Sequence, residues 1–247
     1  MKTAIISDIH GNLTALECVL SAIENADQII CLGDVASVGP QPHDTVTLLG
    51  SKGWPVVMGN TDEALASSTL EDYKQLHVSK EERGRMTTLD RWTAAELDDI
   101  DRRFLAGFKP TIELKDGHSS MLCYHGSPRS NTEGILSTTP DRKLTRILAG
   151  RAATIYAGGH THTQMVRKFG TSIVINPGSI GLPFFRDRLG RFRNPTWAEY
   201  AMVTTSSSDL KVDLRRKKYS LRSLEKVVRR SGLPNPDWWL ADWVSVS

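Results

Sequence analysis

The chain contains 247 residues, of which 39% are hydrophobic and 24% are charged, and its formal net charge is +3. This composition is typical of a folded globular protein and excludes a disordered or fibrous chain. The length suits one domain of ordinary enzyme size, so we expect a single domain over residues 1–247.

The N-terminus and the cysteines bear on the cellular compartment. The N-terminus has only a short apolar stretch before a charged residue, unlike a secretory signal peptide, and no apolar run is long enough to span a membrane. The three cysteines, Cys18, Cys31 and Cys123, are widely separated and odd in number, which disfavours a disulfide framework or a zinc ribbon. We therefore expect a protein of the reducing cytoplasm.

Three predicted strands early in the chain each lead to a polar residue. Apolar runs cover residues 3–7, 29–32 and 55–58, and they are followed by Asp8, Asp34 and Asn60. Apolar residues at helical spacing over residues 13–23 predict a helix after the first strand. In open α/β sheets ligands bind beyond the carboxyl ends of the strands, so the three polar residues point to one shared site.

The remainder of the chain adds helices and further strands. Residues 61–108 are charged and helix-forming, which predicts a helical insertion with a capping box at Thr93 and Glu96. Strand-like segments return at residues 119–124, 154–156, 172–175, 200–204 and 210–214, and the first two lead to His125 and His160. Residues 219–247 predict a helical tail whose tryptophans pack onto the domain.

Five short motifs follow the predicted strands in chain order: Asp8-Ile9-His10, Gly33-Asp34, Gly59-Asn60, His125-Gly126 and Gly159-His160-Thr161-His162. Residues two apart on an extended turn point the same way, so the first and last motifs can each supply two groups. Neighbouring glycines let the backbone come close to metals and phosphate oxygens. Carboxylate, imidazole and amide ligands favour Mn, Fe, Co, Ni or Zn over Mg or Ca. These ligands outnumber those that one tetrahedral ion needs, so two ions fit better.

The ordered set D-x-H, GD, GN, H and GHxH resembles the calcineurin-like metallophosphoesterase superfamily from Asp8 to about Gly181. Within that superfamily, the stretches GDVASVGPQPHDTV, HGSPR and INPGSIGLP are similar to the small bacterial and archaeal phosphodiesterase branch. The resemblance implies an α/β fold, a four-layer αββα sandwich of two mixed β-sheets flanked by helices. It also implies metal-dependent hydrolysis of a phosphodiester or phosphoanhydride of nucleotide type.

The resemblance further assigns roles to single residues. It implies that Asp8, His10 and His162 hold a first metal, that Asn60, His125 and His160 hold a second, and that Asp34 bridges them. A hydroxide shared by the two ions, with manganese as the first expectation, would attack phosphorus in line. Asn12 and Arg129 are the expected phosphate contacts.

The chain departs from the superfamily directly after Gly59-Asn60, where many members carry a histidine that acts on the leaving group. Here the residue is Thr61, and it is followed by Asp62. A threonine cannot donate a proton efficiently near neutral pH. We therefore expect either a reaction without a general acid or proton donation by Asp62, which joins Asp34 and Asn60 as an expected catalytic residue.

The leading hypothesis is a dinuclear phosphodiesterase for a small phosphorylated substrate such as a nucleotide. A phosphomonoesterase or protein phosphatase is the nearest alternative, and a non-catalytic scaffold with the same fold is another. Binding of nucleic acid is disfavoured, because the basic run at residues 215–218 stands far along the chain from the ligand motifs. We expect no membrane partner, and a homo-oligomer is left open.

Overall fold

The computed structural model describes residues 1–69, 79–117, 119–206 and 209–245. The helices are α1 (Leu13–Ile23), α2 (Pro42–Lys52), α3 (Asn60–Ala66), α4 (Lys80–Glu96), α5 (Asp99–Ala106), α6 (Asp141–Ile147), α7 (Leu221–Arg230) and α8 (Pro236–Leu240). The strands are β1 (Lys2–Ile6), β2 (Gln28–Cys31), β3 (Thr111–Asp116), β4 (Ser119–Tyr124), β5 (Ile155–Ala157), β6 (Met165–Phe169), β7 (Ser172–Asn176), β8 (Phe185–Arg186), β9 (Phe192–Pro195), β10 (Trp197–Thr205), β11 (Leu210–Lys218) and β12 (Trp243–Val244).

Two mixed sheets contain most of the strands. The first has the order β11-β10-β1-β2, in which β1 runs parallel to β2 and antiparallel to β10. The second has the order β3-β4-β5-β7-β6, with β4, β5 and β7 parallel and an antiparallel strand at each edge. A small third sheet, β12-β9-β8, joins the hairpin of β8 and β9 to the C-terminal segment.

The two large sheets pack face to face, because alternate residues of their strands share one apolar core. Ile5 of β1 and Cys123 of β4 belong to this inner core, whereas their neighbours Ile6 and Tyr124 belong to the outer ones. Side chains of α1 and α2 pack on the outer face of the first sheet, and side chains of α6 on that of the second. The predicted sandwich of mixed sheets and helical layers is therefore confirmed.

The helical region between β2 and β3 differs from the sequence prediction in its capping. Thr93 and Glu96 both lie within α4 and form no capping box. The boxes that do form are Ser79 with Glu82 before α4 and Asp98 with Asp101 before α5. The Asp98 carboxylate accepts hydrogen bonds from two backbone amides of α5, which explains why that helix begins there. Residues 55–58 contribute only isolated β-bridges, where a strand was expected.

The C-terminal segment packs against α4 and against a loop near the expected ligands. It shares an apolar core with α4 through Leu89, Leu224, Val228, Leu233, Trp239 and Trp243. The indole of Trp239 donates a hydrogen bond to the carbonyl of Val38 at 2.7 Å, which connects the tail to the loop after Asp34. Among the helices that the structure describes, none has the length and hydropathy to cross a bilayer.

Candidate metal centre

The expected ligand loops leave the carboxyl ends of strands in both large sheets. Asp8 and Asp34 follow the parallel neighbours β1 and β2, while His125 and His160 follow the parallel neighbours β4 and β5. Backbone hydrogen bonds connect the loops within each sheet, as where the Gly159 amide donates to the His125 carbonyl at 2.7 Å. The topology therefore brings the four loops to one site at the carboxyl ends of these strands.

Six of the seven expected ligands form two clusters that could each hold a metal ion. The ligand atoms within a cluster lie within 4.8 Å of one another: Asp8, His10 and His162 form one cluster, and Asp34, His125 and His160 form the other. Asp34 connects them, because its Oδ2 lies 3.3 Å from His125 Nε2 and 3.7 Å from His10 Nε2. Asn60, the seventh, is the first residue of α3.

Backbone carbonyls orient three of the four histidines. The Nδ1 atoms of His10, His125 and His162 lie 3.1, 2.7 and 2.8 Å from the carbonyl oxygens of Ser37, Leu32 and Leu182. Because a carbonyl oxygen only accepts, each Nδ1 carries the proton and donates it. Each Nε2 is then directed into the site. Metal-binding histidines in other proteins are commonly held in this way, with the second ring nitrogen donating to a carbonyl or a carboxylate. No motif indicated these carbonyls, since the residues that provide them are apolar or small and distant in sequence.

The arrangement of the directed nitrogens fits a bound cation. The Nε2 atoms of His10 and His162 lie 3.0 Å apart, so two neutral rings would point lone pairs at each other. A shared proton or a metal ion removes that repulsion. In addition, Asp8 Oδ1 and His125 Nε2 are buried and have no well-aligned hydrogen bond among the described residues. Buried polar atoms without partners are costly, and a metal ion would satisfy them.

The backbone at these residues is strained. Five of the seven expected ligands have positive φ angles between 50° and 67°: Asp8, His10, Asp34, His160 and His162. Each such residue costs about 1–2 kcal/mol relative to the right-handed region, although Asp and His tolerate it better than most. The turns are therefore left-handed, and the extended turns expected from the sequence are not found. Such strain is concentrated at functional sites in other proteins.

The electrostatics of the buried groups favour a cation. Burial opposes the charge of Asp34, but the attraction of His125 outweighs it and lowers the pKa of Asp34. Burial also opposes the charge of His125, yet Asp34 raises the pKa of His125 to about 10. Burial, followed by repulsion from His162, lowers the pKa of His10 to about 4. Burial likewise opposes the charge of Asp8, but the attraction of His162 lowers its pKa. Asp8 and Asp34 thus remain charged inside the protein and require positive charge beside them.

Thr61 has a role that sequence analysis missed. Its hydroxyl and its backbone amide both donate to Asp34 Oδ1, at 2.9 and 3.0 Å, and the residue is buried. These two bonds fix the carboxylate plane and leave Asp34 Oδ2 facing the histidines of both clusters. The hydroxyl is therefore already committed to Asp34. Only its position directly after Asn60 could have drawn attention to it.

The geometry gives Asp62 a positioning role and does not favour the expected role of proton donor. Its carboxylate accepts hydrogen bonds from the amides of Asp34 and Val35, both at 2.8 Å, and from that of Gly59 at 3.1 Å. Burial, followed by the charge of Asp34, raises the pKa of Asp62 to about 7. All three contacts are N–H donors that bind a carboxylate, and the side chain is fully buried. Asp62 thus connects the two ligand loops, and both of its carboxylate oxygens accept from backbone amides.

The two expected phosphate contacts also have other partners. Asn12 is the buried N-cap of α1, where Oδ1 accepts from the Ala15 amide and Nδ2 donates to the Gly181 carbonyl. The guanidinium of Arg129 forms two hydrogen bonds with Glu133, and its side chain is 54% exposed. Asn12 therefore stabilises the turn after His10. Arg129 could contact a phosphate only by leaving Glu133.

Comparisons with known proteins agree with this geometry. The profile of the calcineurin-like phosphoesterase superfamily domain matches residues 1–207. An uncharacterized protein of Methanocaldococcus jannaschii is 26% identical, over 97% of this chain and 95% of its own length. The crystal structure of a metallophosphoesterase from Sphaerobacter thermophilus has a TM-score of 0.71 at 25% identity, covering 98% of both chains. A hypothetical protein from Pyrococcus horikoshii has a TM-score of 0.75 at 20% identity, covering 95% of this chain and 94% of its own.

Proposed function

Because the chain belongs to the calcineurin-like phosphoesterase superfamily, whose members are metal-dependent phosphoesterases, we propose that it hydrolyses a phosphodiester or a phosphoanhydride at a centre of two metal ions. The proposed ligands are Asp8, His10, Asp34, Asn60, His125, His160 and His162. The observation that carries the proposal is the position of Asp34. A single oxygen of this residue lies within 4 Å of a histidine nitrogen from each cluster, which suits a carboxylate shared by two ions.

The donor set suits first-row divalent metals. It combines imidazole nitrogens with carboxylate and amide oxygens and contains no thiolate, and we propose manganese, with Fe, Co, Ni or Zn as alternatives. Two such ions, when bound, lower the pKa of water and neutralise charge on a phosphate. The chain itself contributes the orientation: three carbonyls hold the imidazoles, and Thr61 holds Asp34. These contacts keep the ligands in place before substrate arrives.

The surroundings of Asp34 bear on the class of substrate. Neither Thr61, which donates to Asp34, nor Asp62, which accepts from three amides, is placed to protonate a leaving group. General acid catalysis typically contributes about 10²–10⁴-fold to such a step. Without it, esters with good leaving groups react faster than alkyl esters. We therefore propose aryl-type phosphodiesters and phosphoanhydrides, such as small nucleotides, as the substrates.

The proposed setting is the cytoplasm. All three cysteines are free thiols, and burial raises the pKa of Cys31 and of Cys123 above that of an ordinary thiol. Thiols of this kind are unreactive core residues, and a reducing compartment preserves them.

Elemental analysis combined with a turnover assay tests the proposal. Protein loaded with Mn²⁺ should contain two ions per chain and should hydrolyse bis(4-nitrophenyl) phosphate faster than 4-nitrophenyl phosphate. The Asp34→Asn variant should lose both properties, whereas Asp44→Asn, which removes an exposed carboxylate of α2, should keep them. Two bound ions without turnover on either ester would instead indicate a non-catalytic scaffold. A preference for the monoester would indicate a phosphomonoesterase.

A further inference from the structure

The hairpin formed by β8 and β9 leaves the metal centre directly and carries several exposed aromatic and basic residues. Its sequence over residues 184–193 is FFRDRLGRFR. It begins two residues after Leu182, whose carbonyl orients His162. Phe184 and Phe192 are 39% and 49% exposed, which is unusual for two phenylalanines placed side by side.

Phe184, Arg186 and Phe192 form one face of this hairpin, which we call the aromatic face. The rings of Phe184 and Phe192 lie 5.4 Å apart at an angle of 73°. The ring of Phe184 is also 6.4 Å from that of His162, the most exposed member of its cluster. The aromatic face therefore begins beside an expected metal ligand and extends away from it into solvent.

The charge of the hairpin complements an anion. The guanidinium of Arg186 lies 3.9 Å from the centre of the Phe192 ring, and within the described ranges neither Arg186 nor Arg188 has a carboxylate partner. The other two arginines differ, since Arg191 and Arg193 both bind Asp187. Arg186 also donates to the Gly190 carbonyl at 2.8 Å, so its positive charge and that of Arg188 are not neutralised by a carboxylate and can attract a ligand that is both aromatic and negatively charged.

We propose that the aromatic face binds the nucleoside part of a nucleotide substrate, with the base stacked on Phe184 and its edge against Phe192, and a further phosphate bound by Arg186 and Arg188. The proposal rests on the proposed function, because it takes the reacting phosphate to lie at the metal clusters. A nucleotide joins its base to its phosphate through one ribose, so a phosphate at the metal clusters places the base close by. Phe184 lies at that position, since its ring is 6.4 Å from that of His162. Base stacking on an aromatic side chain is tolerant of sequence, so the site would accept several bases.

Two chromogenic phosphodiesters with the same leaving group test the stacking. Thymidine 5′-(4-nitrophenyl phosphate) contains a base, and methyl 4-nitrophenyl phosphate does not. Phe184→Ala is expected to raise KM about tenfold for the thymidine ester, as removal of one stacking partner does, and to leave KM for the methyl ester within about twofold. Phe185→Ala is the matched control, because Phe185 is equally exposed but stacks on Trp197. It should change neither KM.

A binding measurement provides a readout that does not depend on turnover. Equilibrium dialysis of thymidine 5′-monophosphate against the Mn²⁺-loaded protein should show about tenfold weaker binding by Phe184→Ala and unchanged binding by Phe185→Ala. Arg188→Gln should weaken binding of thymidine 5′-(α,β-methylene)diphosphate, which cannot be hydrolysed at its methylene bridge, more than that of the monophosphate. Equal losses for the two nucleotides would overturn the assignment of the arginine.

The outcomes separate this inference from the proposed function. If the wild type hydrolyses both esters but Phe184→Ala leaves KM for the thymidine ester unchanged, the proposed function stands and the nucleoside site is overturned. An equal rise for both esters would show that Phe184 contacts the shared nitrophenyl group, which also overturns it. If the wild type binds two metal ions but hydrolyses neither these esters nor a nucleotide phosphoanhydride, the proposed function itself fails.

Discussion

Replacing Thr61 by valine tests how the proposed bridging carboxylate is oriented. Valine keeps the shape of threonine but removes the hydroxyl that donates to Asp34 Oδ1 at 2.9 Å, leaving one backbone amide on that oxygen. A hydrogen bond to a charged group contributes about 1.5–3 kcal/mol. Loss of an outer partner of a metal ligand typically costs about 10–100-fold in affinity, which corresponds to about 1.4–2.7 kcal/mol. The two ranges agree, so we expect Thr61→Val to weaken metal binding about 10–100-fold.

The assay is a titration of metal-free protein with Mn²⁺ in competition with a fluorescent chelator. Both ions should bind more weakly in Thr61→Val, because Asp34 is shared, while Thr61→Ser keeps the hydroxyl and should stay close to the wild type. Thermal unfolding of the metal-free variants checks that each is folded. Wild-type affinity in Thr61→Val would refute the role of the hydroxyl, and weakening of only one ion would refute the sharing of Asp34.

Three further predictions concern the metals, the substrate and the fold. Asp34→Asn should reduce occupancy of both metal sites, whereas Asn60→Ala should chiefly empty one; full occupancy of Asp34→Asn by elemental analysis would contradict the bridge. A series of aryl phosphodiesters should give rates that fall steeply as the pKa of the leaving group rises, and a flat dependence would reveal a general acid. His43 donates to Asp101 at 2.7 Å, and this hydrogen bond raises the pKa of His43. Because the pKa of His43 is higher in the folded than in the unfolded protein, its charged form stabilises the fold at pH values below the unfolded pKa of about 6.5. This stabilisation is lost as the pH rises through the folded pKa. Because His43 is half exposed, we expect His43→Gln to lower the free energy of unfolding, measured in urea, by only about 0.5 kcal/mol near pH 5.5 and to leave it unchanged near pH 9. An equal decrease at both pH values would contradict this prediction.

The parts of the fold that depend on local pattern could be predicted from the sequence. The strand that ends before Asp8, the helix after it and the strand before His125 are all present. Hydrophobic periodicity and turn residues are local properties, and they indicate where a strand stops and a polar residue follows. The family resemblance also grouped Asp8 with His10 and His162, as the structure does. Their role as metal ligands stays a prediction.

The parts that depend on contacts between distant residues could not be predicted. Asp62 was expected as a possible proton donor, but its carboxylate accepts hydrogen bonds from amides 27 and 28 residues away in sequence. Asn12 was expected to bind phosphate, but as the N-cap of α1 it also donates to Gly181. Thr61 was interpreted only as the absence of a histidine. In each case the residue type fits several roles, and the partner that selects one of them is brought close only by the tertiary fold.

The glycines of the ligand motifs show how the fold holds its carboxylates. They were expected to let the backbone approach metals and phosphate, and two of them, Gly59 and Gly159, lie directly against carboxylates of the ligand loops. A Cβ on Gly59 would lie 2.1 Å from Asp34 Oδ1, and one on Gly159 would lie 2.1 Å from Ser7 Oγ and 2.8 Å from Asp8 Oδ2. Backbone of one loop therefore packs directly on the carboxylate of another. That packing, with the amides on Asp34 and Asp62, restrains the left-handed residues, so contacts within the protein fix the geometry of the expected ligands.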